Sequence, residues 1–169
     1  FPSRHDTLED YLKTLKFSYL YAKTVTLIPT HNERSNAVMM RNRRIGTSQS
    51  GIVQNFQKIG VREHFRWCDE GYKYINDLDA MYSDWLCVPR SIKKTTVKPS
   101  GTVSLLPGVT PGIHYPHSEY YYRTIRFKDN SPLVDSLRKA NYRIEEDKYS
   151  PNTLVVYFPI KEEYYDRSK

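Results

Sequence analysis

The segment most informative about the fold is Lys94-Thr95-Thr96-Val97-Lys98-Pro99-Ser100-Gly101-Thr102-Val103-Ser104. Its first five residues include three β-branched ones, which favour a strand, and Pro99 ends that strand. The small residues from Ser100 onward predict a turn that opens a short helix, which Pro107-Gly108 terminates. A strand, a tight turn and a helix in succession are typical of an α/β fold.

The same turn has the features of an anion site. A helix N-terminus presents free backbone N–H groups and the positive end of the helix dipole, and small residues let a phosphate approach. Hydroxyl groups on the turn add further donors. We therefore predict substrate-phosphate binding by six residues: Pro99, Ser100, Gly101, Thr102, Val103 and Ser104. An ordinary capped helix after a strand has the same spacing, so that alternative stays open.

The rest of the chain alternates helix and strand patterns. Apolar residues recur every three or four positions over 7–22 and 61–85, which predicts two amphipathic helices, the first capped by Thr7. Strands are predicted at 45–51, where the strand turns into a helix, and at 119–127 and 153–158, and a helix is predicted at 131–140. This alternation favours an α/β architecture with some parallel strand pairing.

Length and composition indicate a piece of a larger protein. The chain has 169 residues, enough for one domain of ordinary size. Its hydrophobic fraction of 38% includes 15 tyrosines, which leaves a thin core. Its first residue is Phe1 rather than methionine. We therefore expect residues 1–169 to be a segment of a longer protein.

The positive charge favours an anionic partner. The net charge is +7, and basic residues alternate with tyrosines near residues 120–122. A basic, Tyr-rich nucleic-acid-binding module is therefore an alternative function, with stacking tyrosines and phosphate-contacting cations. A solvated basic face, or one covered by acidic parts of a longer protein, explains the same residues. The residues concerned are Arg41, Arg43, Arg44, Lys93, Lys94, Lys98, Tyr120, Tyr121, Tyr122, Arg123 and Arg126.

The two cysteines, Cys68 and Cys87, predict a reducing compartment, and hence the cytoplasm, because they form neither a C-x-x-C pair nor a disulfide framework. Both are interpreted as small packing residues. His114 and His117 flank Pro116 and lack further ligands, so they predict a polar loop and no metal site. No apolar run approaches the roughly 20 residues that span a bilayer, so no membrane partner is expected.

Residues 46–51, Gly-Thr-Ser-Gln-Ser-Gly, have the glycine spacing of a Walker A loop. They lack the lysine and hydroxyl residue that such a loop requires, because Ile52 and Val53 follow. We interpret this segment as a tight strand-to-helix connection that needs small residues for close packing.

One long segment carries a family resemblance. Residues 90–116, RSIKKTTVKPSGTVSLLPGVTPGIHYP, resemble the adenosylcobalamin-dependent (class II) ribonucleoside-triphosphate reductases of the monomeric kind. Supporting segments are FSYLYAKTVTL at 17–27, RNRRIGTS at 41–48 with SGI at 50–52, and EYYYR at 119–123 with IR at 125–126. Together they leave almost none of the chain outside the resemblance.

The resemblance implies part of a ten-stranded α/β barrel of the ribonucleotide reductase and glycyl radical enzyme type. Residues 1–169 would form a fragment of that catalytic barrel domain, with the phosphate-binding loop at 98–104. In the family, the turn that matches Pro99–Ser104 holds the substrate's phosphates. The implied reaction reduces ribonucleoside triphosphates to 2′-deoxyribonucleoside triphosphates, with adenosylcobalamin, bound mainly outside this segment, generating a thiyl radical.

The resemblance also implies partners and exclusions. A dNTP effector and a thioredoxin-type reductant would act on the intact enzyme, which would be a monomer. The family's radical cysteine lies in an Asn-x-Cys-x-Glu pattern, and neither Cys68 nor Cys87 stands in such a context. That pattern would lie before Phe1, and the redox cysteine pair beyond Lys169. We therefore assign no catalytic and no metal-binding residue to this segment.

Overall fold

A computed structural model of the chain describes residues 1–98, 100–101, 104, 108–162 and 165. Their contacts divide the chain into two compact units, Phe1–His114 and Tyr115–Lys169. The described part of the first unit is largely helical, and that of the second holds a sheet and one helix. In the described part of the chain, no helix combines the length and apolar character that crossing a membrane requires.

The described residues of the first unit form four α-helices after a short 3₁₀ turn at Pro2–Arg4: α1 (Leu8–Val25), α2 (Glu33–Asn42), α3 (Ile52–Ile59) and α4 (Val61–Trp85). The predicted long helices are confirmed, α4 with the predicted bounds and α1 three residues longer. The side chain of Thr7 accepts a hydrogen bond from the Asp10 N–H at 3.2 Å, which confirms the predicted cap. Helix α2 has no equivalent in the sequence prediction, because no residue of this fully described helix is buried.

Helices α1 and α4 pack against each other around a small core. Its buried members are Tyr19, Ile45, Ile75, Leu78 and Tyr82. At Gly71 of α4 the two helices approach closely, since an added Cβ would lie 3.0 Å from Cδ1 of Leu15. The lack of a side chain at Gly71 therefore gives Leu15 of α1 room to pack directly on the backbone of α4.

A buried polar network lies inside this helix pair. Lys23 of α1 and Asp79 of α4 are fully buried, and Lys23 Nζ lies 2.5 Å from Asp79 Oδ1. The Tyr19 hydroxyl donates to the same oxygen at 2.7 Å, and the Ser91 N–H donates to Oδ2 at 2.9 Å. Lys23 Nζ also donates to Ser83 Oγ at 2.6 Å. The network thus joins α1, α4 and the segment that follows α4.

Arg43 extends the network to the end of α2. Its side chain is buried, and its guanidinium donates to the carbonyl oxygens of Lys23 and Thr26 at 3.1 and 2.7 Å. The charge therefore satisfies carbonyl groups at the C-terminal end of α1. The assignment of Arg43 to a solvent-facing basic surface is wrong, because its hydrogen-bonding groups point into the protein.

The strands predicted at 45–51 and 94–98 are represented by a short parallel pairing. Thr47 and Thr95 form a single parallel bridge. The Ile45 N–H donates to Lys93 O at 2.8 Å, and the Thr96 N–H donates to Thr47 O at 2.9 Å. The expected parallel pairing is present, but these few bonds do not extend into regular strands.

The second unit contains an antiparallel sheet of three described strands: β1 (Tyr120–Lys128), β2 (Arg143–Glu146) and β3 (Thr153–Lys161). Strand β3 lies in the middle of this sheet, between β1 and β2. Helix α5 (Pro132–Lys139) connects β1 to β2 along the chain. The predictions of β1, α5 and β3 are confirmed. Pro159 lies in the central strand, but beyond the residues that pair with β2. Its missing N–H is therefore tolerated. The buried apolar residues of this unit are Val134, Leu154 and Val156.

Cys87 corrects one prediction. It is exposed and has a φ of +51°, in the turn that follows α4. The prediction that it is a small core residue is wrong, because the helix ends at Trp85 and Cys87 no longer continues its apolar face.

We predict that Asp79→Asn destabilises the protein strongly. The change leaves the Lys23 charge buried without its counter-ion, which costs about 3–5 kcal/mol. The matched control is Glu70→Gln, also on α4, which removes an exposed ion pair with Lys73 and should change stability by less than about 0.5 kcal/mol. Urea titrations of the full-length protein measure both, and equal shifts of the two midpoints would contradict the prediction.

The pH dependence of stability provides a second test of this network. Burial alone would raise the pKa of Asp79, but hydrogen bonds from Lys23, Tyr19 and Ser91 outweigh burial and lower it below its ordinary value. A lowered pKa stabilises the fold above the ordinary aspartate pKa of about 3.9, and this stabilisation disappears as the pH falls through the folded value. The stability difference between wild type and Asp79→Asn should therefore be constant above about pH 5 and shrink below about pH 4. A difference that grows on acidification would contradict this.

We further predict that the chain expressed alone does not form a rigid fold. Phe17 and Tyr21 on α1, and Phe65 and Trp85 on α4, are more than half exposed. Such apolar faces need a covering partner. The isolated chain should aggregate or bind the dye ANS strongly, with poorly dispersed amide NMR signals. A cooperative unfolding transition with dispersed signals would show the prediction to be wrong.

Candidate functional site

The predicted phosphate loop follows the parallel pairing of the first unit. The structure describes Lys98, Ser100, Gly101 and Ser104 of this loop, whereas Pro99, Thr102 and Val103 lie outside the described residues. The helix predicted after the turn also falls largely on residues that are not described. The geometry of the loop is therefore given by Gly101 and by two arms, which are Lys98 and Ser100 on the entry side and Val109–Pro111 on the exit side.

Gly101 has the backbone that the anion prediction requires. Its φ is +60°, in the left-handed region that favours glycine, and a Cβ built on it meets no atom within 4 Å. The space beside this residue is open among the described atoms.

The hydroxyl of Ser100 is used within the protein. It accepts a hydrogen bond from Ser50 Oγ at 2.8 Å and lies 3.4 Å from Pro111 O, to which it donates. The Ser100 N–H donates to the same carbonyl at 2.7 Å. Ser100 therefore joins the two arms of the loop.

Ser104 is also turned inward. It is fully buried, and its hydroxyl donates to Gly101 O at 2.7 Å. Its own carbonyl accepts from the Val109 N–H at 3.0 Å. The sequence predicted hydroxyl donors facing a ligand, but this hydroxyl closes the turn around Gly101.

A cleft of about 650 Å³ lies beside the loop in the first unit. One wall comes from α1 and α4, and the other comes from the paired segments and residues 112–114. Its lining is mainly apolar, with Lys98 at the edge where the predicted loop begins. The volume is that of a small-molecule site. Sequence analysis did not identify this cleft, because its walls come from segments far apart in the chain; the lining residues include Tyr11, Leu15, Ser48, Gln49, Cys68, Tyr72, Ile75, Val97, Lys98 and His114.

Tyr11, Gln49 and Cys68 are polar side chains of the cleft lining that contact one another, and Cys68 also contacts His64, which does not line the cleft. Gln49 Nε2 donates to the Tyr11 hydroxyl at 2.5 Å, and the same amide lies 3.8 Å from Cys68 Sγ. His64 Nε2 is 3.4 Å from that sulfur, and its Nδ1 is 2.8 Å from Asn55 Nδ2.

Burial determines the charge of three of these side chains. It raises the pKa of the Tyr11 phenol and of the Cys68 thiol, and it lowers the pKa of the His64 imidazole. All three groups are therefore neutral near pH 7. A protonated, half-buried thiol suits the packing role predicted for Cys68 rather than a nucleophile.

The other candidates give no site. Among the described residues, no group of three or more histidine, cysteine or acidic side chains could hold a metal ion. Arg126 pairs with Asp147, and Arg43 is buried, so two of the basic residues proposed for a nucleic-acid surface are engaged elsewhere. Tyr120 and Tyr122 are exposed on β1.

Comparison with known proteins provides the remaining evidence. The fold resembles a crystal structure of a B12-dependent (class II) ribonucleotide reductase, with a TM-score of 0.77 and 34% identity, over 92% of this chain and 25% of that chain. No family model matches the chain.

Curated relatives agree with that structure. A probable adenosylcobalamin-dependent ribonucleoside-triphosphate reductase of Dictyostelium discoideum is 52% identical over 160 residues, which are 95% of this chain and 21% of the relative. The adenosylcobalamin-dependent ribonucleoside-triphosphate reductase of Euglena gracilis is 50% identical over 95% of this chain and 22% of the relative. The enzyme of the same name from Lactobacillus leichmannii is 38% identical over 83% of this chain and 22% of the relative.

In both sequence and fold, the chain corresponds to part of a class II ribonucleotide reductase. More particularly, the curated proteins that it matches are adenosylcobalamin-dependent ribonucleoside-triphosphate reductases, and the resemblance predicted from the sequence is confirmed. The chain spans about a fifth of the length of these relatives. The comparisons do not support the nucleic-acid-binding alternative.

Proposed function

We propose that the chain is part of an adenosylcobalamin-dependent ribonucleotide reductase that converts ribonucleoside triphosphates to 2′-deoxyribonucleoside triphosphates. The observation that carries this proposal is the 52% identity to such a reductase over 95% of the chain. Within the enzyme, the chain contributes part of the ten-stranded catalytic barrel and the loop that binds the substrate's phosphates.

The phosphate loop binds mainly through its backbone. Gly101 offers an open approach, and Lys98 places a positive charge at the start of the loop. Because the hydroxyls of Ser100 and Ser104 are donated to protein carbonyls, we assign the phosphate contacts to backbone N–H groups between Gly101 and Ser104. Pro99, Thr102 and Val103 complete the proposed loop on the sequence evidence.

Adenosylcobalamin, when bound, supplies the homolysis that starts the radical chemistry. We assign it mainly to other parts of the protein, because the cleft in this chain has the volume of one ordinary small ligand. A corrin ring with its attached nucleotide and adenosyl group is larger than that. No catalytic residue is assigned here: Cys68 is half-buried with a raised pKa, and Cys87 is exposed on a turn.

The remaining partners follow from the same proposal. A dNTP effector and a thioredoxin-type reductant act on the intact enzyme, which is a monomer in the cytoplasm. The cytoplasmic assignment is supported by the free cysteines, since the two described thiols form no disulfide.

We predict that Gly101→Val in the intact enzyme depresses kcat/KM for ribonucleoside triphosphates. The branched side chain would occupy the open space beside the loop and strain its backbone. Loss of one hydrogen bond to a charged group costs about 1.5–3 kcal/mol, or roughly 10- to 150-fold in kcat/KM. Cobalamin binding, measured by equilibrium dialysis, should be unchanged.

Gly60→Val is the matched control. Gly60 also has a positive φ, of +83°, and open space for a Cβ, but it lies between α3 and α4. Valine strains the backbone at both positions, and more at Gly60, whose ψ of 157° with this φ is a conformation that only glycine adopts readily. Both variants should therefore lower the melting temperature, but only Gly101→Val should lower kcat/KM. If kcat/KM of Gly101→Val stays at its wild-type value, the loop is an ordinary turn and does not bind phosphate.

A further inference from the structure

The segment 46–51 has a role that its sequence did not suggest. Together with the first turn of α3, it contacts both arms of the proposed phosphate loop. We call the four residues that make these contacts the brace: Ser48, Ser50, Gly51 and Gln54. The entry arm is Lys98–Ser100, and the exit arm is Val109–Pro111.

Two serines of the brace hold the entry arm. Ser48 Oγ donates to Lys98 O at 3.1 Å, and Ser50 Oγ donates to Ser100 Oγ at 2.8 Å. Ser50 is buried, so water does not compete strongly for its hydroxyl. These bonds fix the described residues on either side of Pro99.

The other two residues hold the exit arm. The Gly51 N–H donates to Thr110 O at 2.9 Å. Gln54 Oε1 accepts from both the N–H and the hydroxyl of Thr110, at 3.3 and 3.0 Å. Gln54 and Thr110 are both buried.

Close packing reinforces this arm. A Cβ on Gly51 would lie 3.0 Å from Cβ of Val109, and the residue has a φ of +75°. Glycine therefore lets the start of α3 approach the exit arm directly. A mere connection between a strand and a helix would need small residues, but it would not need the buried amide of Gln54.

The two arms also contact each other through Ser100, whose hydroxyl accepts a hydrogen bond from the brace. Ser100 donates its N–H and its hydroxyl to Pro111 O, at 2.7 and 3.4 Å. The Ser50 hydroxyl donates the hydrogen bond that the Ser100 oxygen accepts. The hydroxyl of Ser50 thus begins a relay of hydrogen bonds that runs across the base of the loop.

We propose that Ser50 and Gln54 are positioning residues for the substrate's phosphates. Ser50 and Gln54 do not contact the phosphate themselves. They hold the two arms at a fixed separation, and this orients the N–H groups near Gly101 toward the phosphate. Binding groups must be fixed to within a fraction of an ångström, and such placement depends on the residues that support them. This inference rests on the proposed function of the loop.

The test uses Ser50→Ala and Gln54→Met in the intact enzyme. Ser50→Ala removes the one hydrogen bond to Ser100, and Gln54→Met removes the two that Thr110 donates to Gln54, so its effect should be at least as large. Neither substitution enlarges the side chain substantially. KM for each ribonucleoside triphosphate should rise by about 2- to 13-fold, the effect of one neutral hydrogen bond, with kcat little changed. Inorganic triphosphate, used as a competitive inhibitor, should lose affinity by the same factor, because the brace acts on the phosphates alone.

The matched control is Ser83→Ala. Ser83 is also buried and hydrogen-bonded, but it accepts from Lys23 in the polar network of α1 and α4. This variant should lower the melting temperature and leave KM and the inhibition by triphosphate unchanged. A purely structural role for the brace would make Ser50→Ala behave in the same way.

The outcomes separate the two proposals. If Gly101→Val raises KM while the two brace variants only lower the melting temperature, the phosphate loop stands and the brace is overturned. If Gly101→Val leaves KM unchanged as well, both proposals fall. Parallel increases in KM and in the inhibition constant for triphosphate, absent from Ser83→Ala, support the brace.

Discussion

The first unit depends on the buried pairing of Lys23 with Asp79. Asp79 holds the Ser91 N–H, and two residues later Lys93 accepts from Ile45 across the parallel pairing. The carbonyl of Lys23 receives the guanidinium of Arg43, which stands two residues before Ile45. Both segments that lead to the candidate site are therefore attached to the partners of one ion pair, whereas the arms of the loop itself are held by the brace.

The Lys23–Asp79 pair contributes more to the placement of α1, α4 and the following segment than to the net free energy of folding. Moving two charges out of water costs several kcal/mol each, and apolar replacements of similar volume are often as stable. Apolar side chains attract each other from any direction, whereas the carboxylate of Asp79 accepts from Lys23, Tyr19 and Ser91 at defined angles. We infer that the network specifies how α1, α4 and the following segment meet, which an apolar core would leave less defined.

Sequence predicted the elements whose side chains alternate between core and solvent. Helices α1, α4 and α5 and strands β1 and β3 follow this rule. Helix α2 was missed because it buries nothing, and β2 because four mostly polar residues carry no pattern. The strands predicted at 45–51 and 94–98 form only one bridge. Strand propensity indicates an extended backbone, but it does not indicate how many residues of a neighbouring strand that backbone pairs with.

The chemistry of the candidate site was also only partly predictable from the sequence. A hydroxyl-rich turn predicted an anion site, and the predicted donors included the serine hydroxyls. In the structure the hydroxyls of Ser50, Ser100 and Ser104 are donated within the protein, to one another or to carbonyl oxygens. Short polar side chains that satisfy the backbone keep it in a strained or turned conformation. The serines of this turn therefore shape the loop, and the phosphate contacts that we propose fall to its backbone. Residue spacing cannot separate these two roles, because both need the same small, hydroxyl-bearing residues.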